Sequence, residues 1–269
     1  MQTNILRSLA LVAVGNAALA GRDVSAFWPS PLLRYYKQVE FLIAHGNDKY
    51  TPVAPDPLAW FAKLRGLRCQ GLRLHNAPMD QREGLPAQKE RMLVGMVGGG
   101  PRWLIEAVYP SRAEVWEAFD RLGDRNDPEQ KIWLCAYLML GEIENQDGAD
   151  RNVAAAHEEV AAALKDIEAL ARDIPGAPFA EDFAGARAVL NGTDSTYPSL
   201  EFLELTDLDQ PARRLLAASA QAWVFGAMGS WNDIGVADAL KQRYERTSDA
   251  LFKALQRAVI AVANASFRG

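Results

Sequence analysis

Apolar residues recur at helical spacing near the start of the chain, where Ile5, Leu9, Val12 and Asn16 share one face. They predict a helix over 4–20, capped by Asn4 and stopped near Gly21. Residues 27–31 (F-W-P-S-P) must be irregular, because a proline disfavours helix at the residue before it. The run 38–44 predicts a strand ending in the turn H-G-N-D. Asp56 and Pro57 open a short helix over 57–64. From 68 to 145 the texture changes to apolar runs rich in Val, Ile, Trp and Tyr, separated by turn clusters. These predict strands at 68–75, 91–97, 102–109 and 131–141. The segment 113–121 fits a helical face through Trp116 and Phe119 and fits alternation through Val115, Glu117 and Phe119. A strand there makes the meander continuous.

Residues 145–150 read as a linker, and the period then becomes helical. Asn152 caps a helix to about Arg172, with Val153, Val160, Leu164, Ile167 and Ala171 on one face. A second helix covers 180–190, followed by an exposed loop over 191–199. Asp209 and Pro211 open a third helix, to about Met228. Asp233 is placed to cap a long fourth one over 236–265, whose Val236, Leu240, Tyr244, Leu251, Leu255, Val259 and Val262 form an apolar seam. The fold class that follows is α+β. An N-terminal helix and a meander-like antiparallel sheet fill 1–145, and an α-helical region over 151–269 packs on the sheet.

Composition sharpens this picture in three ways. With 49% apolar and 23% charged residues among 269, the chain can bury a large core. The net charge is −5, and the acidity sits in the second half. Residues 1–150 carry 17 Lys/Arg against 18 Asp/Glu, and residues 151–269 carry 12 against 16. That balance argues against a general nucleic-acid binder. The two cysteines, Cys69 and Cys135, lie in apolar stretches and suit a reducing compartment. A cytoplasmic location follows, unless residues 1–20, with Arg7 before an apolar run and Ala18-Leu19-Ala20 at its end, are a cleaved export signal. The run is too short to span a membrane, which takes about 20 apolar residues.

Candidate chemistry is sparse. Gly95 and Gly100 have the separation of a phosphate-binding loop, but Pro101 and Arg102 stand where Lys and Ser/Thr are needed. Proline also removes one of the N–H groups that would bind phosphate. The glycines of 98–100 therefore mark a hairpin corner that presents Arg102 and Trp103. His157-Glu158 lacks the second histidine of a zinc helix, because position 161 is Ala. No nucleophile elbow, calcium loop or metal cluster is present, and no cofactor is implied. Two turn-rich stretches stand out as binding candidates: 123–128, with Arg125 and Asp127, and 229–233, with Trp231 and Asp233. Trp and Arg dominate interface hot spots.

The function expected from this pattern is non-enzymatic binding of another protein, as an adaptor, a regulator or a neutralising partner of a basic protein. Arg102, Trp103, Arg125, Asp127, Trp231 and Asp233 are its candidate contacts. The alternative is a small hydrolase or transferase, with carboxylates and Arg102 or Arg125 lining a cleft between sheet and helices. An exported binding protein is the third reading.

Overall fold

The computed structural model describes residues 1–45, 49–78, 90–96, 99–146, 148–192, 198–226 and 228–268. Residues Gly46 to Asp48 of the expected H-G-N-D turn, Val97, Gly98, Asp147 of the linker and residues 193–197 of the expected loop lie outside them. Seven α-helices are described: α1 (Thr3–Leu19), α2 (Pro57–Gly66), the one-turn α3 (Glu90–Leu93), α4 (Val153–Asp173), α5 (Ala180–Leu190), α6 (Gln210–Gln221) and α7 (Asp238–Ala265). Six strands accompany them: β1 (Tyr36–Ala44), β2 (Tyr50–Ala54), β3 (Gly71–Ala77), β4 (Arg102–Val108), β5 (Arg112–Leu122) and β6 (Trp133–Glu144). No described helix is long and apolar enough to cross a membrane.

The strands form one sheet in the order β2-β1-β6-β5-β4-β3. From β3 to β6 it is the expected antiparallel meander, and 113–121 lies in strand β5. The departure is β1, which joins β6 in parallel and carries the β2 hairpin on its far side, so the sheet is mixed.

Local signals account for three of the seven described helix starts. Asp56 accepts from the Ala59 N–H at 2.8 Å, Asn152 from Ala155 at 2.9 Å and Asp209 from Ala212 at 3.0 Å. Two expected caps fail. Asn4 lies inside α1, which starts from Gln2 without a side-chain cap. Asp233 instead closes a capping box on the turn 231–233, where its carboxylate accepts from the Ser230 N–H at 2.9 Å. The long helix starts later, at Asp238. The third helix stops at Gln221 rather than near Met228, because the chain turns there and the Phe225 carbonyl accepts from Gln2 at 2.7 Å.

Residues 91–96 of the expected strand 91–97 do not form a strand. Residues 90–93 make the helical turn α3, with the Arg91 side chain buried against α7. Its guanidinium donates to Asp249 at 2.7 Å, Glu245 at 2.6 Å and Asn232 at 2.7 Å. Gly95 lies so close to the Gly226 backbone that no Cβ fits between them. Three charged or polar bonds and this backbone contact hold the segment away from the sheet. The glycines therefore close no hairpin between 91–97 and 102–109. The partners of β4 are β3 and β5, and Gly100, at φ +79°, leads into β4.

Helix α1 is the centre of the fold. Every residue from Ile5 to Ala18 is buried, and α1 packs on β3, β4, α2 and α7. A single hydrophobic cluster joins it to the sheet, to α2 and to α4–α7. Two of the three polar residues in that buried stretch, Arg7 and Asn16, tie it to the sheet. Arg7, fully buried, forms a bidentate pair with Asp120 of β5 at 2.7 and 3.1 Å and donates to the Tyr137 hydroxyl at 3.2 Å. Asn16 donates to the Leu72 carbonyl at 2.9 Å and accepts from the Leu72 N–H at 2.6 Å. Asn264 of α7 does the same to Leu74, at 2.9 and 2.7 Å. Two side-chain amides thus occupy the free edge of β3 in place of a further strand. On the opposite edge, Pro52 of β2 has no N–H to offer a newcomer.

Candidate functional site

Strand alternation assigns the two faces of the sheet. Asp120 meets Arg7 of α1, and Trp116, Phe41 and Tyr137 pack with Trp60 of α2. These residues define the inner, helix-covered face. The residues between them point the other way. On that outer face the register places Leu42, Leu138 and Glu117 in one row, Glu40, Ala136 and Phe119 in the next, and Gln38, Leu134 and Arg121 in a third. A column of Leu134, Ala136 and Leu138 on β6 therefore runs between β1 and β5.

No described helix lies over these rows. Phe119 is 47% exposed, and Leu42, Leu134, Ala136 and Leu138 are half-buried. Toward β3 the same face is closed by the chain's own end. Phe267 packs on Val108 and Ala113 and fills the place a side chain would take at Gly71. Between the two zones lie charge pairs: Arg102 with Glu117 at 2.6 Å, and Arg73 and His75 with Glu106 at 3.8 and 3.5 Å. Glu40 and Arg121 flank the β6 column with opposite charges, and neither has an ion pair among the described residues.

The sequence candidates scatter across this frame. Arg102 stands on the outer face, bonded twice to Glu117 at 2.8 and 2.6 Å. Trp103, its neighbour on β4, points inward and is buried. Arg125 is exposed in the turn between β5 and β6. Asp127, in the same turn, accepts from the Glu129 and Lys131 N–H groups at 3.0 and 3.3 Å and from Lys37 at 3.0 Å. The Lys37 bond holds its carboxyl below the usual range. Trp231 is fully buried between Phe179, Phe183 and Tyr244, and donates to Ser248 at 2.7 Å. Asp233 serves the capping box. The fold brings Arg102 to the open face and gathers none of the other five there.

The residues that make this face were not singled out from sequence, although a signal for them exists. Residues 133–140 (W-L-C-A-Y-L-M-L) are apolar without interruption. A strand covered on one side alone alternates apolar with polar, whereas a continuous apolar run belongs to a strand covered on both.

Enclosed chemistry is limited. A shallow cavity of about 240 Å³ opens at the end of α1, beside Asn16, Cys69, Gln70, Asp207, Ser266 and Arg268. Burial pushes the Cys69 thiol up to about 11, so it stays protonated at neutral pH, and Asp207 is paired with Arg22 at 2.6 Å. Around Arg7, burial pushes the Cys135 thiol and the Tyr137 hydroxyl up to about 12. The Ser8 hydroxyl is 3.2 Å from that of Tyr137. This buried cluster fastens α1 to β5 and β6. Among the described residues no group of His, Cys, Asp and Glu is arranged to hold a metal ion.

His75 carries a pH dependence. Burial lowers its pKa below the ordinary 6.5, against the raising pull of Glu106. The unfolded chain then takes up a proton before the folded one, so stability falls as pH drops below about 6.5 toward the lower folded value. Urea unfolding of His75→Gln between pH 7.5 and 5 should show a shallower loss than wild type. An unchanged slope would assign the acid sensitivity elsewhere.

Comparison with known proteins returns no matching family, no matching curated protein and no matching solved structure.

Proposed function

We propose that this is a binding protein that engages another protein through the outer face of its sheet over β1, β6 and β5. One observation carries the reading. Residues 133–140 of β6 are apolar on both faces, while the described helices cover one. Leaving Leu134, Ala136, Leu138 and Phe119 facing water forgoes about 25 cal/mol for each Å² of apolar surface that a partner would cover. At the β3 edge Asn16 and Asn264 already hold the backbone groups of Leu72 and Leu74, so a strand added there gains less than a partner lying on the face.

The hydrolase or transferase reading needs Arg102 or Arg125 to meet carboxylates in a cleft between sheet and helices. Arg102 lies on the face turned away from the helices, and Arg125 sits at a strand turn. Two buried free thiols, Cys69 and Cys135, fit a cytoplasmic setting.

The test is capture from an extract of the source cells, at low and moderate salt, with wild type beside Phe119→Arg. The expected result is a discrete partner that wild type holds at both salts and Phe119→Arg loses, with both proteins equally folded by circular dichroism. Equal recovery by the two would overturn the reading, as would no recovery by a wild type that is also monomeric.

A further inference from the structure

We infer that the occupant of this face is a second copy of the chain, packed sheet on sheet. The inference rests on the proposal that the outer face is a protein-binding surface, and adds which protein covers it.

Two observations lead to it. The first is charge. A two-fold axis lying in the interface along β6 places β1 of one copy over β5 of the other. The β6 columns of Leu134, Ala136 and Leu138 then meet each other. Glu40 of each copy comes to the side of Arg121 of the other, one row apart along the strand. The angle of roughly 30° between packed sheets shifts these rows across one another. A surface that meets itself must be complementary to itself. This one carries one acid and one base on opposite sides of an apolar column, each without an ion pair among the described residues. Its remaining charges, on Arg102 and Glu117, already neutralise each other.

The second is the boundary of the face. On the β3 side Phe267 and the Arg73–Glu106–His75 cluster close it, so a partner is confined to the zone where the symmetric pattern lies.

Analytical ultracentrifugation of the purified chain tests this. Wild type should sediment as a dimer at micromolar concentration. Leu138→Arg should be monomeric with an unchanged circular dichroism spectrum. Glu40→Arg and Arg121→Glu each place like charges together twice per dimer, and each should weaken association about tenfold or more. The double exchange Glu40→Arg with Arg121→Glu restores opposite charges and should recover the dimer. These two positions are on the surface, so the exchange decides even if Leu138→Arg fails to fold. A wild type that stays monomeric at ~100 μM would overturn the inference, as would a dimer indifferent to Leu138→Arg or a double exchange no better than either single. A monomeric wild type whose captured partner is still lost on Phe119→Arg removes the second copy and leaves the binding face. A monomer that also captures nothing removes both.

Discussion

Asp120→Ala should lower the unfolding free energy by about 3–5 kcal/mol, the cost of leaving a buried charge without its partner. Arg7 is fully buried between Tyr36, Tyr137 and the strand that carries Asp120, and its guanidinium lies 4.9 Å from the Tyr36 ring centre. Removing the carboxylate strands that charge among aromatic rings and thiols that stay protonated. The double variant Asp120→Ala with Arg7→Met should regain most of the loss, because an apolar side chain of similar length needs no partner. Urea titration followed by tryptophan fluorescence measures all three. An Asp120→Ala protein within ~1 kcal/mol of wild type would show that the pair is not what holds α1 under β5 and β6.

The second large effect is at the sheet edge. Asn264→Leu keeps the volume of the side chain but deletes both of its bonds to Leu74, at a position wholly shielded from water. A buried N–H and a buried carbonyl then lose their partners together, at about 1–3 kcal/mol each. The expected loss is about 2–5 kcal/mol, against about 1 kcal/mol for removing a helix cap such as Asn152. Hydrogen exchange gives a local reading of the same event. The Leu74 amide should exchange far faster in the variant, while amides of β5 and β6 keep their order of protection. If Leu74 stayed as protected as in wild type, water or a neighbouring group would have taken the place of the asparagine.

These two sites show what could be read from the chain and what could not. The helices after residue 151 were legible because their causes are local: Asn152 and Asp209 sit where a cap belongs, and the apolar period of α4 and α7 repeats over several turns. Asp233 misled for a reason also present in the sequence. Ser230 stands three residues before it, and a serine so placed offers a capping box to a short turn ahead of any long helix. The segment 91–97 misled for a reason no local pattern carries. Its apolar residues suit a strand, but Arg91 finds two carboxylates and an amide on elements more than 140 residues away. Strand β2 escaped because Y-T-P-V-A is short and contains a proline, acceptable only at an edge.

The candidate site was legible in the same partial way. Arg102 was singled out and lies on the open face. Trp231, an expected anchor, and Trp103, an expected contact, are buried in the core, since a tryptophan's size serves both roles and its surroundings decide between them. The β6 residues were read as strand and passed over as a surface.

By itself the sequence determined the period of most elements, most of the expected caps, the α+β order of sheet first and helices after, and the unbroken apolarity of 133–140. Those properties depend on neighbours a few residues apart, so a single chain displays them directly. The tertiary structure alone decided that β1 joins β6 in parallel, and that α1 is the buried axis whose Arg7 and Asn16 answer Asp120 and Leu72. It also decided that the helices cover one face of β6 while the described elements leave the other open. These outcomes are set by which distant groups can satisfy a buried charge, a free strand edge or an apolar surface, and such partners meet only when the chain is folded.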